Sequence, residues 1–326
     1  MVNYPAAALL VLTPAISVEL MTGNTSLAQY VFPPTFILLN VIYGGALLLI
    51  RETVARRHKG FATVLVLAAG YGMVNEAICT KGFFDPKFYA VVGDGLEGFG
   101  RYFGINVAWA VSISIIHAVY SIIVPYLIIS MIFPGSNPWI GTRAYAALCV
   151  VLIAACIFAF HFIGLPPDHY HYDEGPGPLL LILALMASLV IIALRMRPVQ
   201  VPKWDVHVHP VLLFILGTAF IFAFWFLPGV VRTISTSPIA FIVYHLACFV
   251  GLPLWLVLKL PEPAARGKIA LLAGLLSLFM ASSFLAGITG SPGRLFPVVY
   301  VLALLVAASL RAKETGAPST PAIPAT

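Results

Sequence analysis

Residues 105–133 read INVAWAVSISIIHAVYSIIVPYLIISMIF, from Ile105 to Phe133, without a single Asp, Glu, Lys or Arg. A helix needs roughly 20 apolar residues to cross the ~30 Å hydrocarbon core of a bilayer, and this stretch is long enough. No alternation with a period of two runs through it, which excludes a barrel strand. In lipid a single segment satisfies its own backbone groups only as a helix. Its few polar residues are ordered: Ser114, His117, Tyr120 and Ser121 recur at helical spacing and form one polar stripe. Pro125 follows about one turn later, where a missing N–H predicts a kink.

Outward from this segment, further apolar stretches run over Pro5–Met21, Thr35–Ile50, Phe61–Thr80, Ala144–Leu165, Leu179–Leu194, Val211–Leu227, Ile239–Leu258, Ile269–Ile288 and Phe296–Leu310. Turn chemistry separates them at Pro33-Pro34, Pro134-Gly135, Pro166-Pro167, Gly175-Pro176 and Ser291-Pro292-Gly293. The expected fold is all-α: a polytopic integral membrane protein of about ten transmembrane helices forming one domain over residues 1–312. A disordered tail rich in Ala, Pro, Ser and Thr is expected over 313–326.

Composition agrees. Of 326 residues 61% are hydrophobic and 9% are charged, against about 25% charged in a soluble domain. So few charges cannot cover a 35.1 kDa globule in water. A soluble enzyme and a nucleic-acid module are both excluded. The expected partners are the lipid bilayer and a small solute or ion. The net charge of +6 then reports loop orientation. With ten spans, 13 of the 18 basic residues fall on the side that holds both termini. That asymmetry predicts cytoplasmic termini in a cell-membrane protein. The N-terminal segment lacks a basic region and a small-residue cleavage site, so it does not read as a cleavable signal. Cys79, Cys149, Cys156 and Cys248 all fall inside spans without a CxxC pair, as small core residues would.

Ionisable groups inside a bilayer are costly and mark function. The acids within spans are Glu19 and Glu76, joined by His117, His161 and His245. By depth, His117 lies near the midplane and the others in the outer half. Gly72, four residues before Glu76, lets another helix approach that acid closely. A carboxylate beside an imidazole in a dry site suits proton transfer or cation binding. The same pair would also serve as a hydrogen-bonded link between two helices.

Two outer loops and one inner link stand out. Lys81–Gly104 is rich in aromatics and glycine, and reads as an interfacial loop or as a lid over the outer cavity. The run Asp168-His169-Tyr170-His171-Tyr172-Asp173-Glu174 places His169 and His171 on one side of an extended segment. Imidazole and carboxylate there would suit a divalent transition metal, the one cofactor this sequence suggests. A similar pair, His207 and His209, lies with Asp205 before the seventh span. On the inner side, residues 51–60 read as a basic link anchored near anionic lipid, with Glu52 and Arg56 four apart.

Asn75-Glu76-Ala77-Ile78-Cys79-Thr80 resembles the Glu-Glu-x-x-x-Arg motif of the CAAX-type intramembrane glutamate proteases, departing from it at Asn75 and Thr80. Phe241-Ile242-Val243-Tyr244-His245 matches that family's Phe-x-x-x-His motif, and no third motif follows. The resemblance implies a hydrolase with Glu76 activating water and His117 or His245 orienting it. The first expectation is instead a transporter whose outer-half polar cavity binds a small solute or cation at Glu76, His117 and His245. An accessory membrane subunit without chemistry is the third. For the topology, a reporter fused after Thr326 is expected to be active only in the cytoplasm. Activity only outside the cytoplasm would invert the whole map.

Overall fold

The computed structural model describes residues 2–86, 99–162, 175–197, 208–252, 255, 259 and 264–315. Helix α1 spans Tyr4–Leu20, a short α2 spans Leu27–Val31, α3 spans Pro33–Arg56 and α4 spans Phe61–Cys79. A two-residue hairpin, β1 (Arg101–Tyr102) against β2 (Ile105–Asn106), then leads into α5, Val107–Ile132. Next come α6 (Thr142–Phe162), α7 (Pro176–Arg195), α8 (Pro210–Ile234), α9 (Pro238–Gly251) and α10 (Ala265–Ile288). A 3₁₀ turn, Pro292–Arg294, opens α11, Leu295–Thr315.

The fold is all-α, and the chain is a multi-pass membrane protein. Among the described residues, 8 helical spans are long and apolar enough to cross a bilayer. Two shorter apolar helices, α1 and α9, join them. Some boundaries move from those the sequence suggests. Helix α3 runs on through Arg51 and Glu52 to Arg56, where the sequence suggests a link. Helix α8 continues through Pro228 to Ile234 instead of ending at Leu227. A proline is tolerated there because the freed carbonyl need only find a partner nearby.

Helix α5 forms the centre of the bundle and is the most buried of the long helices, while α6 and α7 bury almost nothing. Val150, Ile153, Ile157 and Phe158 of α6 all stand outward. Such a continuous apolar face is at home in lipid and not in water. The buried core runs from α1 through α3, α4 and α5 to α11.

Interrupted helices are the fold's second characteristic. Among the described residues, five helices carry π-helical turns: Ile16–Leu20, Asn40–Gly45, Val74–Cys79, His117–Ile123 and Ala247–Gly251. In α5 the wide turn ends immediately before Pro125, with the Val124 N–H bonded back to the Val119 carbonyl. The proline ring would collide with the carbonyl four residues earlier in a regular helix, and the extra residue of a π turn relieves that.

Helices α8 and α10 cross where both lack side chains. A Cβ on Gly217 would lie 2.5 Å from the Leu271 carbonyl oxygen, and one on Gly274 would run into the carbonyl oxygen of Phe214. Small residues let backbones approach in lipid, where no hydrophobic effect drives helices together. Gly274→Ala is therefore expected to destabilise the protein by about 1–3 kcal/mol, read as a lower thermal-unfolding midpoint in detergent. Gly229→Ala, in open space on α8, is expected to leave that midpoint unchanged.

Candidate functional site

Gly72 sets the site's geometry. A Cβ there would lie 2.6 Å from Ser114 Cα, so α4 and α5 touch backbone to backbone at this level. One turn further along α4, Glu76 faces His117 of α5. Glu76 Oε1 and His117 Nε2 are 3.0 Å apart, and only 6% and 4% of these residues is exposed. The second carboxylate oxygen, Oε2, accepts hydrogen bonds from Thr80 Oγ1 at 3.2 Å and from Trp109 Nε1 at 3.4 Å. His117 Nδ1 meets Ser121 Oγ at 3.0 Å.

A second carboxylate joins through an aromatic bridge. Glu19 accepts hydrogen bonds from the Tyr43 hydroxyl and, at 3.0 Å, from Thr25 Oγ1. The Tyr43 ring lies 5.9 Å from the His117 ring and 6.1 Å from that of Tyr71. Tyr71 lies 6.1 Å from His117, and its hydroxyl accepts a hydrogen bond from Asn75 Nδ2 at 3.1 Å. A half-buried carboxylate, Glu19, thus adjoins a buried carboxylate, imidazole and two phenols. Among the described residues, no Lys or Arg forms an ion pair with Glu19 or Glu76.

Glu19, Tyr43, Asn75, Glu76, His117 and Ser121 all sit within π-helical turns. A π turn costs hydrogen-bond geometry and recurs at functional sites, where it re-aims a side chain. Here four of them meet at one level. The loop after α4 completes the arrangement. Phe83 and Phe84 pack with Ala77 and Ile182, and the Asn106 N–H bonds the Phe83 carbonyl at 2.8 Å. The Asn106 side chain then caps α5 by accepting from the Trp109 N–H at 2.9 Å, which fixes the helix start that carries Trp109. Within Lys81–Gly104, residues 81–85 are thus buried and Tyr102, Phe103 and Gly104 are exposed; residues 87–98 lie outside the described residues.

The other candidates lie elsewhere. His245 is fully buried, with Nδ1–H donating to the Phe241 carbonyl at 2.9 Å. Its ring sits among Phe224, Phe241, Tyr244 and Phe249, all of α8 and α9, and among the described residues no hydrogen bond or ring contact joins it to Glu76 or His117. His161 is exposed near the end of α6, beside its neighbours Phe160 and Phe162. His169 and His171 lie outside the described residues, as do Asp205 and His207. Among the described residues, no group of three or more His, Cys, Asp or Glu is placed to hold a metal. The polar stripe of α5 also divides: Tyr120 turns away to donate to the Leu275 carbonyl at 2.8 Å.

Three residues of the site, Tyr43, Tyr71 and Trp109, escape a search of the sequence for acids and histidines. The first two carry a usable signal, since Tyr43 precedes Gly44-Gly45 and Tyr71 stands between Gly70 and Gly72. A tyrosine flanked by glycines in an apolar helix marks a polar tip held where helices come close.

A larger departure lies at the opposite end of the bundle. Arg51 and Glu52 are not a solvated link: they are 4% and 0% exposed, with Arg51 Nη1 2.7 Å from Glu52 Oε1. The Arg51 guanidinium lies 3.7 Å over the Trp139 ring and donates to the Asn137 carbonyl at 2.7 Å. Glu52 also accepts from the Trp139 N–H at 2.7 Å and from Arg56 at 3.3 Å. This clasp folds the α5–α6 connection onto α3. Trp139 is consequently buried beneath it.

The chain matches no protein-family model, no curated protein and no solved structure. Its class rests on the apolar helices, and its candidate site on the geometry around Glu76 and His117. For the clasp, Glu52→Ala strands a buried guanidinium. It is expected to cost about 3–5 kcal/mol, read as a lower thermal-unfolding midpoint of the purified protein. An unchanged midpoint would mean that Arg51 finds another partner.

Proposed function

We propose that the protein is a proton-coupled permease of a small solute or cation in the cell membrane, with Glu76–His117 as its proton-binding element. The observation that carries this reading is a buried carboxylate–imidazole pair, 3.0 Å apart, with no lysine or arginine ion-paired to the acid among the described residues. One proton added or removed changes the pair's net charge inside a low-dielectric bundle, where that change is felt strongly. Because Glu76 and His117 lie on different helices, the protonation state alters what α4 and α5 present to each other. A change in their packing is then the coupling step. Glu19 and Tyr43 supply a second protonatable group beside the first, and His245 belongs to the neighbouring α8–α9 unit.

The pair's oxygens and nitrogens are all satisfied within the protein, as an occluded proton site requires. An accessory subunit without chemistry shares that feature, and it differs in having no flux to lose. One observation favours an intramembrane hydrolase instead: Glu76 and a histidine are in direct reach, so the same pair could orient a water for attack.

Proteoliposomes with an imposed inward proton gradient separate these readings. Uptake is measured across a panel of amino acids, sugars, nucleosides, organic acids and cations. At least one solute is expected to accumulate, and Glu76→Gln is expected to abolish that accumulation while the protein remains folded. Accumulation unchanged by Glu76→Gln would remove the acid from the mechanism. Gradient-independent cleavage of an added transmembrane peptide, lost in Glu76→Gln, would replace transport by hydrolysis.

A further inference from the structure

A cleft of about 360 Å³ opens where the α1–α2 turn meets the start of α11, lined by Gly23, Thr25, Ser26, Ser291, Gly293 and Arg294. Its volume falls within the range of small-ligand sites, roughly 300–1,000 Å³. Its one basic wall residue is held firmly. Arg294 donates from Nη2 to the Met21 carbonyl at 3.0 Å and from Nε to Ser283 Oγ at 3.3 Å. The guanidinium packs against Gly23, where a Cβ would overlap Nη1. Gly23 also has φ +86°, so the position demands glycine twice over, for the turn and for the arginine.

Two edges of the guanidinium are thus committed to the protein, while Nη1 has no partner among the described residues. Among those residues no acid forms an ion pair with Arg294. The acid bonded to Thr25 is Glu19, whose other oxygen is engaged by Tyr43. A half-buried arginine with an open edge, fixed at the mouth of a cleft and uncompensated in charge, is a receptor for an oxyanion. Guanidinium geometry matches carboxylate and phosphate. Ser291, exposed on the same turn as Arg294, adds a hydroxyl to the cleft lining.

We propose that this cleft binds a carboxylate or phosphate group through Arg294, carried either by a small solute or by an anionic lipid headgroup. Binding here does not require proton chemistry at Glu76, so it stands or falls separately from the transport reading.

The test tracks thermal unfolding of the purified full-length protein in two arms. In uncharged detergent, sodium phosphate and sodium succinate are titrated against sodium chloride at equal ionic strength. In nanodiscs, phosphatidylcholine alone is compared with phosphatidylcholine containing phosphatidylglycerol. One arm is expected to raise the unfolding midpoint by about 2 °C or more. A response in the first arm assigns the oxyanion to a solute, and one in the second alone assigns it to lipid. Arg294→Gln is expected to remove the response. Because Arg294 also ties Met21 to Ser283, Ser291→Asp serves as the second variant. It keeps the arginine and places a competing carboxylate in the cleft, so it too is expected to abolish the response without lowering the basal midpoint. No response in either arm, or an equal response in Ser291→Asp, overturns the proposal.

Discussion

An ionisable group in a membrane must be answered from within the protein. Water cannot solvate it, and an unpaired charge in an apolar medium costs many kcal/mol. Glu76 is answered by His117, Thr80 and Trp109, each from a different position on α4 or α5 or at their ends. Much of the bundle's central geometry stems from that requirement. Gly72 and Ser114 bring the two helices close enough for a direct hydrogen bond. Asn106 fixes where α5 begins and hence where Trp109 falls. The wide turn over His117–Ile123 stands immediately before Pro125. Remove the pair, and the backbone contact at Gly72 has no polar purpose.

The same rule operates at both ends of the bundle, with different outcomes. At one end Glu52 collects Arg51, Arg56 and the Trp139 N–H, so both carboxylate oxygens are engaged inside the clasp. Buried ion pairs of this kind contribute less to net stability than their short distances suggest, because desolvation offsets most of the attraction. They do specify which loop lies against which helix. At the other end Arg294 is tied at two edges and left open at the third. One arginine cluster therefore ties a loop to a helix, and the other keeps a guanidinium edge for the oxyanion proposed above.

How much of this is legible in the sequence depends on whether the signal is periodic or relational. Long apolar runs are legible because composition alone decides whether a segment tolerates lipid; 8 described spans are long enough to cross, while α1 and α9 are shorter and the ends of α3 and α8 shift. Glu76 and His117 are conspicuous because each is expensive alone. Their contact is not legible, since no spacing in a single chain states which helices are neighbours. Depth groups them with His245 and His161, but depth is one coordinate of three. His245 faces an aromatic cage on α8 and α9, and His161 the surface. Arg51 and Glu52 mislead for a related reason. A charged run after an apolar segment looks like a solvated link unless the loop that covers it, here around Trp139, is known to fold back.

The π turns are invisible in the sequence for a different reason, and they bear on how the site works. A regular helix offers side chains at fixed intervals, so aiming groups from four helices at one point would require coincidence in four registers. Inserting one residue into a turn rotates the downstream part of a helix relative to the upstream part. Each helix then meets the site while keeping its own packing outside it. The cost is weaker backbone hydrogen bonding at that level, and in lipid that weakness has no water to soften it. A purely structural contact between α4 and α5 needs no such expense, since Gly72 against Ser114 already supplies close packing. Glu19, Tyr43, Glu76 and His117 each lie in such a turn, and that convergence favours a joint role for them over simple helix packing.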